Sequence, residues 1–134
     1  MKNLILILMI IWNANLLAQI KNTDYFEINQ QKKNVKKGYS LRLKSIFDDS
    51  RCPQNTQCIW AGEVSVTLEI YKKNKLIEEK TITINSKNLL ENKCWFENYF
   101  PKKMQSIQVF PYPNAVQDST KIEQQKVVLL FKKN

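Results

Sequence analysis

The chain has 134 residues, a formal net charge of +9, no histidine and only two glycines. This length suits a single domain, and the missing histidine excludes Ser–His and Cys–His catalytic pairs and the commonest zinc ligand. Two glycines are too few for a glycine-rich phosphate loop, so the sequence predicts a basic domain that is not an enzyme, with no metal site and no cofactor.

Residues 1–18 have the layout of a secretory signal peptide. Lys2 supplies a positive charge, an apolar run of nine residues extends from Leu4 to Trp12, and we predict cleavage after Ala18. Nine residues rising 1.5 Å each cannot cross a hydrocarbon core of roughly 30 Å, so the run does not predict a membrane anchor. The expected product is one domain over residues 19–134, periplasmic or secreted and not membrane-spanning.

Alternating apolar and polar residues predict strands along most of this domain. The predicted strands are Tyr25–Ile28, Tyr39–Phe47, Val64–Tyr71, Leu76–Ile84, Met104 to Val109 or Phe110, and Lys126–Phe131. The clearest is Val64–Tyr71, and residues 72–75 are expected to form the turn of a hairpin with the strand that follows. Lys126–Phe131 is almost continuously apolar, which predicts a central strand.

Helical patterns are weak. Leu89-Leu90 could open a single helical turn, and no longer helix is expected. Six or seven antiparallel strands with turns at this spacing predict an all-β sandwich of immunoglobulin-like topology, with a small β-barrel as the alternative.

The stretch from Asp49 to Glu63 holds two of the three cysteines, Cys52 and Cys58. In an oxidising compartment we expect these two to form a disulfide. An extended segment of this length would span roughly 20 Å, whereas a disulfide needs Cα atoms within about 7 Å, so the loop must fold back. Loops on rigid scaffolds concentrate recognition. The outward residues, and hence the candidate binding loop, are Gln54, Asn55, Thr56 and Gln57.

Other chemistry at the cysteines has less support. Redox catalysis usually uses Cys-x-x-Cys at the start of a helix, which five intervening residues before a strand do not match. Asp48, Asp49 and Glu63 lack the regular oxygen spacing of calcium loops. Cys94 is expected to be a buried free thiol beside Trp95; the alternatives are an intermolecular bridge or pairing with one of the other two cysteines.

The remaining residues of the stretch are interpreted as structural. Trp60 is expected to be a core residue packed on the disulfide, with an exposed platform for sugar or peptide as the alternative. Arg51 is expected to fix the loop by pairing with Asp49 or Glu63, and Gly62 completes the motif.

Nineteen of the 21 cationic residues are lysine, and many stand in adjacent pairs near predicted strand ends. The pairs are Lys32-Lys33, Lys36-Lys37, Lys72-Lys73, Lys102-Lys103 and Lys132-Lys133. Such lysines keep a protein soluble and prevent edge-to-edge strand pairing. The alternative is attraction to an anionic lipid surface or glycan. Nucleic acid is not an expected partner, since its readers favour arginine and interleaved aromatics.

Two motifs resemble the signature of a family of small exported bacterial proteins and lipoproteins. They are Asp49-Ser50-Arg51-Cys52-Pro53 with Cys58-Ile59-Trp60-Ala61-Gly62-Glu63, and the later Pro111-Tyr112-Pro113. The resemblance covers most of the expected mature chain and implies an extracytoplasmic bacterial domain. It implies no activity, and this chain departs from the family in lacking a lipid-attachment cysteine and in carrying Cys94.

These observations predict a non-enzymatic binding or structural module of the bacterial envelope or the extracellular space. Its partner, an unidentified protein or glycan, is expected at the stapled loop 52–58. One alternative is a secreted inhibitor that presents this loop to an enzyme, because a rigid loop binds at a lower ordering cost. Another is an electrostatic binder of anionic lipid or glycan. The sequence leaves the oligomeric state open, although Cys94 would allow a disulfide dimer.

Overall fold

The structure, a computed structural model, describes residues 24–113 and 125–133. The predicted signal peptide and the polar connection over 114–123 lie outside these ranges. In the described ranges the strands are β1 (Tyr25–Ile28), β2 (Lys33–Asn34), β3 (Tyr39–Phe47), β4 (Val64–Lys72), β5 (Lys75–Ile84), β6 (Met104–Phe110) and β7 (Lys126–Phe131). They are accompanied by a 3-10 turn over Lys36–Gly38 and one α-helix, α1 (Leu89–Glu97).

The seven strands form two antiparallel sheets, which confirms the predicted β-sandwich. One sheet has the order β1-β7-β6, so β7 is central, as its continuous apolar sequence predicted. The other has the order β2-β3-β4-β5 and follows the chain as a meander. The β4–β5 hairpin turns at Lys73 and Asn74, both with positive φ, the conformation that matches the right-handed twist of the flanking strands.

The core lies between the two sheets and follows the period-two alternation of the strands. The four-stranded sheet contributes Leu41, Leu43, Val64, Val66, Leu68, Ile70 and Ile82, and the three-stranded sheet contributes Ile28, Met104, Ile107, Val109, Val127, Leu129 and Phe131. Phe96 of α1 is fully buried in the same cluster. The sandwich therefore gives the connecting loops a rigid base.

The helix α1 corrects the expectation of a single helical turn. Its inward side carries Leu89, Asn92 and Phe96, at positions i, i+3 and i+7. The amide of buried Asn92 donates a hydrogen bond of 2.8 Å to the backbone carbonyl of Thr83 on β5. A polar residue thus stands in the middle of the buried face, which hid the helical pattern. Among the described residues no helix has the length and apolarity needed to cross a bilayer.

The two ends of the sandwich are built from different connections. At one end, which we call the motif end, residues 48–63 join β3 to β4 and meet the carboxyl end of β6. At the other, which we call the basic end, β3 begins beside the β4–β5 turn. There the Lys36 amide donates a hydrogen bond of 3.3 Å to the Tyr99 carbonyl, and the Lys132 amide donates one of 2.9 Å to the Lys103 carbonyl. Lys103 precedes β6 and Lys132 follows β7, so the start of β6 and the end of β7 also lie at the basic end. A nine-residue strand such as β4 separates the ends by roughly 30 Å.

Candidate functional site

The connection from β3 to β4 folds back on itself as an arm with two sides. The Ser50 amide donates to the Glu63 carbonyl at 2.8 Å, and the Cys52 amide donates to the Ala61 carbonyl at 3.1 Å. Gly62 has a φ of +72°, and a Cβ at this position would stand 2.0 Å from the Ser50 carbonyl oxygen. Only glycine allows the two sides of the arm to approach this closely.

The disulfide between Cys52 and Cys58 closes the tip of the arm, as predicted, with a Cα–Cα distance of 5.8 Å. Inside it, the Thr56 amide donates to the Pro53 carbonyl and forms a tight turn. The four residues of the candidate binding loop, 54–57, are all exposed. The Gln54 amide also donates to the Pro113 carbonyl at 3.3 Å, which ties the tip to the Pro-Tyr-Pro segment.

Arg51 anchors the arm to the sandwich. Its Nε and Nη2 donate to the two carboxylate oxygens of Asp49 at 2.8 and 2.6 Å. Nη1 donates to the Val109 carbonyl at 2.6 Å and Nη2 to the Pro111 carbonyl at 3.0 Å. The guanidinium also lies 4.6 Å from the ring centroid of Tyr112. Arg51 therefore pairs with Asp49 rather than with Glu63, and its planar fork is committed to protein groups.

Glu63 has a different role from the one considered from the sequence. Its carboxylate accepts a hydrogen bond of 2.8 Å from the side-chain amide of Asn85, just after β5. The side-chain oxygen of Asn85 accepts hydrogen bonds from the backbone amides of Lys87 and Asn88, which fixes the turn that leads into α1. Both sides of the arm are thus bound to the sandwich. Arg51, paired with Asp49, binds the first side to β6, and Glu63 binds the second side to the end of β5.

Trp60 is exposed over 74% of its surface, and the expectation of a core tryptophan is wrong. Its neighbour Ile59 is fully exposed. These two residues lie between Cys58, held by the disulfide, and Ala61, held by its hydrogen bond to Cys52, so the chain bows outwards at this point. Val64 is the first residue of the segment that reaches the core. The exposure of Trp60 agrees with the alternative interpretation, and its use as a platform for sugar or peptide stays a prediction.

A cleft of about 340 Å³ lies beside the arm, between β6 and the adjoining ends of β4 and β5. Its lining includes Gly62, Val64, Ile84, Val109 and Tyr112, with Arg51 at one side. The lining is mostly apolar, and Arg51 is held by Asp49 and two carbonyls. Among the residues that the structure describes, no group of three potential ligands could hold a metal ion.

Cys94 is a free thiol on α1 and it is exposed, so the expectation of a buried thiol is wrong. The helix turns Phe96 rather than Cys94 towards the core. Because Cys52 and Cys58 bond to each other, the alternative pairings with Cys94 do not occur in this structure.

The outer face of the four-stranded sheet holds a second polar cluster that the sequence did not indicate. Glu69 is buried. Its carboxylate accepts a hydrogen bond of 2.5 Å from Arg42 Nε and one of 2.7 Å from the Tyr71 hydroxyl. The hydrogen bond from Arg42 is the main cause that holds the pKa of Glu69 below its usual value. An ionised carboxylate saturated in this way suits sheet stabilisation rather than proton transfer.

This cluster predicts a specific loss of stability in acid. The pKa of Glu69 is lower in the folded protein than in the unfolded chain, where it is about 4.3. The ionised carboxylate therefore contributes to the free energy of unfolding above that unfolded pKa, and this contribution is lost as the pH falls through the lower folded pKa. We expect urea unfolding to show a shallower decline below about pH 4 in Glu69→Gln than in the original protein. Asp24→Asn is the control, because the pKa of Asp24 is also lowered, by Lys102, but Asp24 is exposed. An unchanged acid slope in Glu69→Gln would contradict the assignment.

No family model, curated protein or solved structure matches this chain. The resemblance to a family of exported bacterial proteins accordingly stays a prediction.

Proposed function

We propose that this chain is an exported, non-enzymatic binding module that recognises a protein partner through the tip of the arm, residues 52–60. The observation that supports this most directly is the exposure of Ile59 and Trp60 side by side on a disulfide-closed loop. Large apolar side chains are costly to leave in water, and tryptophan is among the residues most enriched at binding hot spots.

The rigidity of the tip supports recognition rather than passive exposure. A loop that is already ordered loses little conformational entropy on binding, so more of its contact energy appears as affinity. The disulfide, the Arg51 anchor and the Glu63–Asn85 hydrogen bond all fix the tip without using its outward side chains. Gln54 to Gln57 then supply polar contacts around the apolar pair, the arrangement of a polar rim around an apolar centre.

Export is supported by the signal-peptide pattern and by the disulfide, which persists in oxidising compartments. The protruding shape of the tip also favours the inhibitor alternative, in which Ile59 and Trp60 enter the active-site cleft of an enzyme. Both versions need the same loop, and they differ in whether the captured partner loses catalytic activity when bound.

The proposal is tested by quantitative capture from an envelope extract of the producing cell, followed by titration of the captured partner. We expect Trp60→Ser to weaken binding by about 30-fold, as for a hot-spot residue worth about 2 kcal/mol. Leu90→Ser is the matched control, because Leu90 is equally exposed, at 75%, but lies on α1. Reduction of the Cys52–Cys58 bond should also weaken binding.

A partner that binds the Trp60→Ser variant as tightly as the original protein would exclude the tip as the recognition site. Equal losses in Trp60→Ser and Leu90→Ser would indicate nonspecific apolar adhesion instead.

A further inference from the structure

The lysine pairs of the sequence converge at the basic end of the sandwich. Four of the five pairs, together with Lys75, lie where β3 and β6 begin, β7 ends and the β4–β5 hairpin turns. These residues are Lys36, Lys37, Lys72, Lys73, Lys75, Lys102, Lys103, Lys132 and Lys133. The Lys73 amide donates to the Gly38 carbonyl at 3.2 Å, which brings the first two pairs together. The Lys132 amide donates to the Lys103 carbonyl, which brings the last two together.

Few carboxylates oppose this charge. Carboxylates that the strand order places towards this end include Asp24, which pairs with Lys102, and Glu97, which accepts a hydrogen bond from the Met104 amide. Glu78 on β5 lies opposite Ile70 of β4. In the part of the chain that the structure describes, the other ion pairs involve Arg42, Lys44, Arg51 and Lys126. None of those four belongs to the nine lysines, so the basic end keeps a concentrated positive charge.

Exposed apolar side chains lie among these lysines. Leu76 and Ile77, directly after the hairpin turn, are 43% and 51% exposed, and Tyr25 at the start of β1 is 64% exposed. Lysines that serve solubility alone need no such neighbours. Lysines mixed with aliphatic and tyrosine side chains are instead typical of surfaces that lie at a membrane interface.

We propose that the basic end docks on the surface of an anionic lipid bilayer. The lysine ammonium groups would contact lipid phosphates, while Leu76, Ile77 and Tyr25 would enter the headgroup region. The apolar residues favour a bilayer over a glycan or other polyanion, which offers them no apolar contact. This docking goes beyond the binding function proposed for the tip. It would hold the tip, roughly 30 Å away at the other end of β4, facing away from the membrane.

The test is flotation with vesicles of phosphatidylcholine alone and of phosphatidylcholine with about one third phosphatidylglycerol, at low and high salt. Binding is expected only to the anionic vesicles. The triple variant Lys37→Gln, Lys73→Gln, Lys103→Gln should bind about a hundredfold more weakly, at roughly fivefold per lysine. The control triple variant Lys44→Gln, Lys87→Gln, Lys93→Gln has the same net charge but lies outside the basic end, and it should keep most of its binding.

The apolar contacts are tested by Ile77→Ser, which should reduce the binding that persists at high salt, with Leu90→Ser as its control. Circular dichroism spectra of the variants serve to check that each one is folded. Equal losses in the two lysine variants would overturn the proposal, because binding would then depend on net charge alone. Retention on a sulfated polysaccharide without vesicle binding would also overturn it. Trp60→Ser should leave vesicle binding unchanged, so failure here is distinguishable from failure of the recognition proposal.

Discussion

Gly62→Ala should lower the free energy of unfolding by about 3 kcal/mol or more, a loss that marks a specific steric failure. The added Cβ would stand 2.0 Å from the Ser50 carbonyl oxygen, 2.5 Å from its carbon and 2.9 Å from the Cα of Arg51. All three are backbone atoms, so no side chain can rotate away to relieve the contact. The two sides of the arm would have to separate, breaking the Ser50–Glu63 and Cys52–Ala61 hydrogen bonds.

Gly38→Ala is the control, because Gly38 also has a positive φ but lacks the close contact. Its φ is +75°, and nothing lies within 4 Å of a Cβ at that position. It should cost only the left-handed strain of about 1 kcal/mol. Urea denaturation of the two variants measures the difference. Equal losses would show that the positive φ, rather than the approach of Ser50, makes glycine necessary at position 62.

The strands were predictable because their signal is local. In β4, apolar and polar side chains alternate without a break, and burial on one face requires that pattern. The disulfide loop was equally accessible, since two cysteines six positions apart can meet only if the chain between them turns back. In both cases the determining residues are neighbours in sequence.

The features that were missed depend on contacts between distant residues. The sequence predicts Trp60 to be a core residue, but its direction is set by the hydrogen bond between Cys52 and Ala61 and by the bend at Gly62. In α1, the side-chain amide of buried Asn92 donates a hydrogen bond to the carbonyl of Thr83 on β5, a partner that the sequence pattern does not indicate. The sequence predicts lysine pairs at strand ends, but only the strand order shows that four of these pairs share one end of the sandwich.

Arg51→Lys should destabilise the arm by about 2 to 3 kcal/mol although the positive charge is kept. Arg51 is almost buried, with 10% of its side chain exposed, and it makes four hydrogen bonds to three partners. A lysine ammonium cannot span both oxygens of Asp49 and also reach the Val109 and Pro111 carbonyls. Two partly buried carbonyls would therefore lose their donor, and an unpaired buried acceptor costs about 1 to 3 kcal/mol.

Hydrogen exchange locates this loss within the molecule. The amides of Ser50 and Cys52, which bond across the arm, should exchange much faster in Arg51→Lys, whereas the Val66 and Leu68 amides of β4 should keep their protection. Arg42→Lys is the matched control, because Arg42 also binds a carboxylate but by one hydrogen bond and with 39% of its side chain exposed. If the arm amides stayed protected in Arg51→Lys, the anchor would be the disulfide and not the guanidinium. The exposed position of Trp60 would then depend on the Cys52–Cys58 bond alone, and reduction would release it.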